Sequence, residues 1–177
     1  QTGKYPRIVA KLLAGSCCLT GKRKCFARLA GQRSFSETPQ FEGSSCLSRE
    51  RYDYMFQKRL LDEHYRTYGG SYGWVLAGLR ASRKLMRKEN LAKIKTPVLL
   101  FAAGHDHMVD NDAIERFAEL TNRTELFFMP DSRHEIFNAD ERTRTKYYDE
   151  IFRFIKEEEV KDYENKNEQT RKILGTV

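Results

Sequence analysis

The sequence predicts an α/β fold in two unequal parts, a helical segment over residues 1–90 and a parallel-sheet portion over residues 91–157, with a charged tail at 158–177. Three observations carry this. Before Lys88 the apolar residues recur every three or four positions, the spacing of amphipathic helices. After Thr96-Pro97 two continuous apolar runs of strand length occur, "VLLFAA" and "TELFFM", a pattern that suits strands buried in a parallel sheet. Each run leads through a polar loop into another helical stripe, so the order is β, acidic loop, α, β, histidine loop, α. With 177 residues, 40% hydrophobic and 12% aromatic, the chain can bury one ordinary core.

The elements follow in order. From Pro6 to Leu19 the stripe Ile8, Val9, Leu12, Leu13 and Cys17 stands opposite Arg7 and Lys11, which predicts an amphipathic helix. A Gly-, Ser- and Pro-bearing connection runs from Gly31 to Ser48. Ser48 then reads as the cap of a second helix that buries Tyr52, Met55, Phe56 and Leu60. A third helix is expected over Tyr72 to Lys88, with Trp74, Ala77, Ala81 and Leu85 on one side. Beyond the first strand, a helix from about Asn111 to Leu120 should bury Ile114, Phe117 and Ala118. The last helix should bury Tyr148, Ile151, Phe152 and Ile155, and fray beyond Glu157.

Charge and cysteine usage narrow the setting. The net charge of +7 is concentrated between Gln1 and Ser36, which holds eight basic residues (Lys4, Arg7, Lys11, Lys22, Arg23, Lys24, Arg28 and Arg33) and no acid. Such a block suits an anionic membrane, nucleic acid or an anionic ligand, and equally a solvated face. Cys17, Cys18, Cys25 and Cys46 match neither a metal-binding pair nor a dense disulfide framework, which points to a reducing, cytoplasmic setting. No apolar run reaches the ~20 residues that a membrane-spanning helix needs. The basic segment leaves room for a peripheral position at the inner face of a membrane.

One motif invites a nucleophile. "YGGSYGW" contains a literal G-x-S-x-G around Ser71. A nucleophile elbow needs an apolar strand running into the first glycine, because the sharp strand-to-helix turn lifts the serine out of the sheet. Ser71 is preceded instead by "LLDEHYRTY", a charged stretch with helical period. Only one strand fits between Ser71 and Asp106, where further βα units of about 30 residues each are expected. The motif therefore reads as a glycine-rich turn. Asp106 and His134 fit a site better. Each lies in the loop past a predicted strand, where open α/β sheets collect their functional groups. A carboxylate at one strand end can orient an imidazole at the next as a general base.

From about Tyr5 to Ile155 the chain resembles the carboxyl-terminal half of the lysophospholipase and monoacylglycerol-lipase branch of the α/β-hydrolases. The residues that carry the resemblance are "SRERYDYMFQKRLLDEHYRTYGGSYGWVLAGLRAS", similar to the cap segment, "KTPVLLFAAGHDHMVDN", similar to the strand and acid loop, and "PDSRHEIFNADE", similar to the histidine loop. The resemblance implies that Asp106 is the catalytic acid and His134 the catalytic base of a serine hydrolase. It gives Ser71 no catalytic counterpart. It departs from the family at the proline commonly found after the two glycines. It also implies that the nucleophile elbow and oxyanion turn belong to a missing amino-terminal half of the same fold, so that the chain alone is inactive. The expected substrate is a lysophospholipid or monoacylglycerol, with no cofactor and no nucleic acid partner.

Two rival readings come from other classes. His105, His107, Asp110 and His134 offer imidazole and carboxylate ligands for a metal-dependent hydrolase. In an extended segment His105 and His107 project away from Asp106, so convergence would require a turn. The second rival is a basic lipid- or nucleic-acid-binding module without catalysis. For nucleic acid, Tyr5, Phe26 and Phe35 are a thin supply of stacking aromatics.

Overall fold

The computed structural model describes residues 6–27 and 34–174, with side chains as far as residue 168. Lys4, Tyr5, Arg28 and Arg33 of the basic segment lie outside the described residues. The element order is α1 (Arg7–Leu19), α2 (Arg49–Leu61), α3 (Tyr72–Leu85), α4 (Lys88–Leu91), β1 (Val98–Ala103), α5 (Asn111–Glu119), β2 (Thr124–Met129) and α6 (Glu141–Leu174). Single 3-10 turns occur at Glu63–Tyr65 and Ile136–Asn138.

Local chemistry starts the helices where the sequence places them. Ser48 caps α2 by accepting the amide of Arg51, and Ser71 caps α3 by accepting the amide of Trp74. The turn before α3 lies against residues 23–27: Ala27 donates to the Gly70 carbonyl at 3.0 Å, Tyr72 to Cys25 at 3.1 Å and Gly73 to Arg23 at 2.9 Å. Side chains are excluded there. A Cβ on Gly73 would stand 2.7 Å from Arg23 Cγ, and one on Gly70 would enter the Trp74 indole. Gly70, directly before Ser71, and Gly73, the last glycine of the G-x-S-x-G, thus answer to packing.

The packed faces of the helices differ from the expectation. α1 packs against α3, and its buried residues are Ala10 and Ala14, each 1% exposed. Ile8, Val9, Leu12 and Leu13 of the predicted stripe face outward, as do Leu19 at the end of α1 and Trp74, Ala77, Ala81 and Leu85 of α3, whose buried residue is Leu76. Small residues allow the close approach of the two helices, and that displaces the larger apolar rows to the outside. α2 buries Phe56 as expected, whereas Tyr52, Met55 and Leu60, expected to be buried with it, are half-buried.

β1 and β2 pair in parallel with Val98 opposite Thr124 and Ala103 opposite Met129, joined by α5. Ala103, Met129 and Ile136 form the buried core beneath the strand ends, with Phe101, Phe127 and Tyr147 packed around it. Two corrections concern α6. Tyr147 packs its ring, tilted, against that of Phe101 at 4.6 Å between centroids, while Tyr148, Phe152 and Ile155 are exposed, because this two-stranded sheet covers one side of a helix that is apolar on two. The helix also continues unbroken past Glu157 to Leu174. Ion pairs at helical spacing accompany the extension, Arg153 with Glu150 and Glu157, Lys161 with Glu158 and Lys166 with Asp162. Among the described residues, no helix is long and apolar enough to cross a membrane.

Candidate active site

Two loops meet at the carboxyl ends of the strands. β1 runs into Gly104-His105-Asp106, and β2 runs into Pro130–His134. Their backbones are tied directly: Gly104 donates to the Met129 carbonyl and His105 to the Ser132 carbonyl, both at 2.9 Å. The approach is close enough to demand glycine, since a Cβ on Gly104 would stand 2.7 Å from the Pro130 carbonyl carbon and closer still to its oxygen. Asn111, at the start of α5, donates to the Ala103 carbonyl at 2.8 Å and holds the acid loop from the other side.

Within this frame Asp106 and His134 are brought together. His134 Nδ1 lies 2.8 Å from Asp106 Oδ2, and the carboxylate accepts the ring proton. The other oxygen, Oδ1, accepts the amides of Met108 at 2.7 Å and Val109 at 2.9 Å. Both oxygens are therefore occupied and the carboxylate cannot turn. Its side chain is 4% exposed, whereas that of His134 is 38% exposed. Burial pushes the Asp106 carboxyl up, but the Val109 amide, the His134 ring and the Met108 amide together outweigh it and hold the group below its ordinary value. The result is a buried carboxylate, ionised at neutral pH, that fixes one nitrogen of an imidazole and leaves the ring itself accessible.

A cleft of about 310 Å³ opens beside the pair, walled by Phe101, Val109, Ile114, Ile136 and Phe137. Tyr147 borders it, its hydroxyl pushed up by burial and by the neighbouring Tyr148. A larger hollow along α6 between Glu159 and Glu168 is lined by that helix alone and gathers no chemistry.

The other candidates do not join the pair. Ser71 Oγ accepts the Trp74 amide at 3.2 Å as a helix cap, and Ser71 is absent from the cleft lining. Asp110 precedes α5, as the sequence suggests, yet its side chain caps nothing. It is turned toward Arg7 of α1, 3.8 Å away. The metal reading is not met, because among the described residues no three His, Cys, Asp or Glu side chains converge. Sequence reasoning missed Gly104 and Arg133. Gly104 follows directly on a predicted strand ahead of a candidate acid, a signal that a close backbone approach could have been expected.

The comparisons with known proteins agree with this frame. The Hydrolase_4 family model, described as serine aminopeptidase, S33, matches residues 10–141. Among solved structures, a soluble variant of monoglyceride lipase from Saccharomyces cerevisiae, crystallised in complex with a substrate analog, superposes with a TM-score of 0.57 at 15% identity. The match covers 85% of this chain and 48% of the lipase, so the chain spans about half the length of that structure. No curated protein matches the chain.

Proposed function

The chain belongs to the Hydrolase_4 family, described as serine aminopeptidase, S33, and from its α/β-hydrolase fold we propose that it supplies the acid and base of a serine ester hydrolase. The reading extends to a lysophospholipase or monoacylglycerol lipase acting on a single acyl ester. The observation that carries it is the 2.8 Å contact between His134 Nδ1 and the buried Asp106 carboxylate beside an apolar cleft. The nucleophilic serine and the oxyanion donors are assigned to the other half of the fold, an assignment supported by the half-length match to the lipase.

The chemistry follows from the geometry. His134, its Nδ1 proton held by Asp106, presents Nε2 as the free base. It takes the serine proton as the oxygen attacks the ester carbonyl and a tetrahedral oxyanion forms. Asp106 stabilises the imidazolium at this stage and remains ionised. When the intermediate collapses, the bond to the glycerol oxygen breaks and His134 returns its proton to that oxygen. Water, deprotonated by the same imidazole, then attacks the acyl-enzyme and releases the fatty acid. No step calls for a metal or an organic cofactor.

The test is turnover of a monoacylglycerol and a lysophospholipid by the polypeptide that contains both halves. His134→Gln should abolish hydrolysis, and Ser71→Ala should leave it intact. Hydrolysis of a nitrophenyl ester by the 177-residue chain that disappears in Ser71→Ala would overturn the assignment.

A further inference from the structure

The loop that carries His134 is held by a second grip, distinct from its contact with Asp106. Arg133, directly before the histidine, places Nη1 at 3.2 Å from the Phe41 carbonyl, 3.3 Å from that of Ser44 and 3.1 Å from that of Cys46. Two protons are shared among three carbonyls, and the guanidinium also lies over the Phe41 ring at 5.5 Å. Glu135, directly after the histidine, donates its amide to the Ser45 carbonyl at 3.0 Å. The residues on both sides of His134 are thus fastened to one short segment, 41–46.

That segment is itself anchored. Phe41 packs edge-on against Tyr52 of α2 at 5.4 Å, and the Tyr52 hydroxyl accepts the Gln40 amide at 2.7 Å. At the other end the buried Cys46 thiol reaches the Asn138 carbonyl at 3.0 Å, and Ser48 donates its amide to the same carbonyl at 3.3 Å. Burial pushes this thiol up, so it keeps its proton and remains a donor. Asn138 closes the ring by donating to Glu135 Oε2 at 2.8 Å.

We propose that Arg133 is a positioning residue, and that through it the 41–46 segment of the helical part holds the His134 ring in register with Asp106. The inference rests on the assignment of His134 as the base and adds what aims it. Asp106 alone fixes one ring nitrogen, which leaves the ring free to swing about that contact with its loop. Fastening the backbone before and after His134 removes that swing. The arrangement makes the base depend on a segment about 90 residues earlier in the chain, so movement of the helical part is transmitted to the imidazole.

The experiment follows the intact protein, uniformly labelled with nitrogen-15, and reads two signals by NMR: the downfield proton of the His134 Nδ1–H···Asp106 bond and the exchange rate of the Glu135 amide. In Arg133→Gln, which keeps much of the side-chain stem but loses the cationic fork, the downfield proton should broaden or vanish and Glu135 exchange should rise at least about tenfold. Arg133→Lys should restore part of both. In the turnover assay the Gln variant should lower kcat with KM little changed. Should Arg133→Gln fail to fold, Phe41→Leu, which removes the ring beneath the guanidinium and loosens the segment while leaving Arg133 and its carbonyl acceptors in the chain, should move both signals in the same direction. A folded Arg133→Gln protein with the wild-type downfield proton and wild-type Glu135 exchange would overturn the proposal. The spectra need no turnover, so an absence of ester hydrolysis would count against the enzymatic reading alone, while the two NMR signals still decide the role of Arg133.

Discussion

At the scale of the residue, two aspartates four positions apart have opposite situations, and the difference is measurable. Asp106 is buried and uses both oxygens, whereas Asp110 is about two-fifths exposed and faces Arg7 across 3.8 Å. Under the proposed function, in the polypeptide that contains both halves, Asp106→Asn should lower turnover by the order of 10⁴-fold, because with its oxygen kept by the Met108 and Val109 amides the new NH2 donates to Nδ1 and selects the wrong imidazole tautomer. Asp110→Asn should leave turnover near wild type and alter stability by no more than about 0.5 kcal/mol, the usual range for a surface ion pair. Steady-state kinetics and denaturant titration on both variants check the ranking. The Asp106 carboxyl, held low in the folded chain, also contributes to acid stability with a definite sign. Its contribution is present above the ordinary aspartate value of about 3.9 and is lost as pH falls through the lower folded value. Chemical denaturation from about pH 5 to pH 2 should therefore show the advantage of wild type over Asp106→Asn shrinking toward the acid end.

At the scale of the element, Ser71 serves a helix and Gly104 serves a loop junction. Ser71→Ala removes the acceptor for the Trp74 amide and should cost about 1 kcal/mol, with Ser71→Asp retaining most of it. The same substitution should leave ester hydrolysis by the complete enzyme unchanged. Gly104→Ala should do the reverse in kind: the added methyl meets the Pro130 backbone, which cannot yield as a flexible side chain would, and the acid and histidine loops must part. Loss of the His134 downfield proton in a protein that still melts cooperatively would report this separation. Strand limits and helix starts were legible in the sequence because each has a local cause, Thr96-Pro97 before β1 and the Ser48 cap before α2. Asp106 and His134 were legible as well, since both stand just past apolar strands. What the sequence left hidden was the rotation of α1, α3 and α6, because each is apolar on more than one side and the neighbour decides which side packs. Arg133 was hidden for a related reason, since its partners are backbone carbonyls and those carry no residue signature.

At the scale of the whole molecule, the outward rows of α1 and α3 pose a question of what meets them. Ile8, Leu12 and Leu19 are 74%, 69% and 90% exposed, and Trp74 is 68% exposed. Lys11 lies on the same helix as the first three, and Lys22, Arg23 and Lys24 follow its end, all exposed. Large apolar side chains beside cations are the composition of a helix that lies in a membrane surface, its apolar row among the acyl chains and its cations at the headgroups. Each basic residue near an anionic surface adds on the order of 1 kcal/mol, an attraction that salt weakens. The expected outcome is that the complete protein sediments with anionic liposomes, that binding falls as salt rises, and that Lys22→Glu/Arg23→Glu/Lys24→Glu weakens it. Ile8→Ser/Leu12→Ser should weaken binding at every salt concentration, because it removes the apolar component alone. The competing occupant is the other half of the fold, which would cover the same rows and leave the cations in water. In that case neither set of substitutions changes sedimentation, and the serine pair instead lowers the melting temperature of the complete protein.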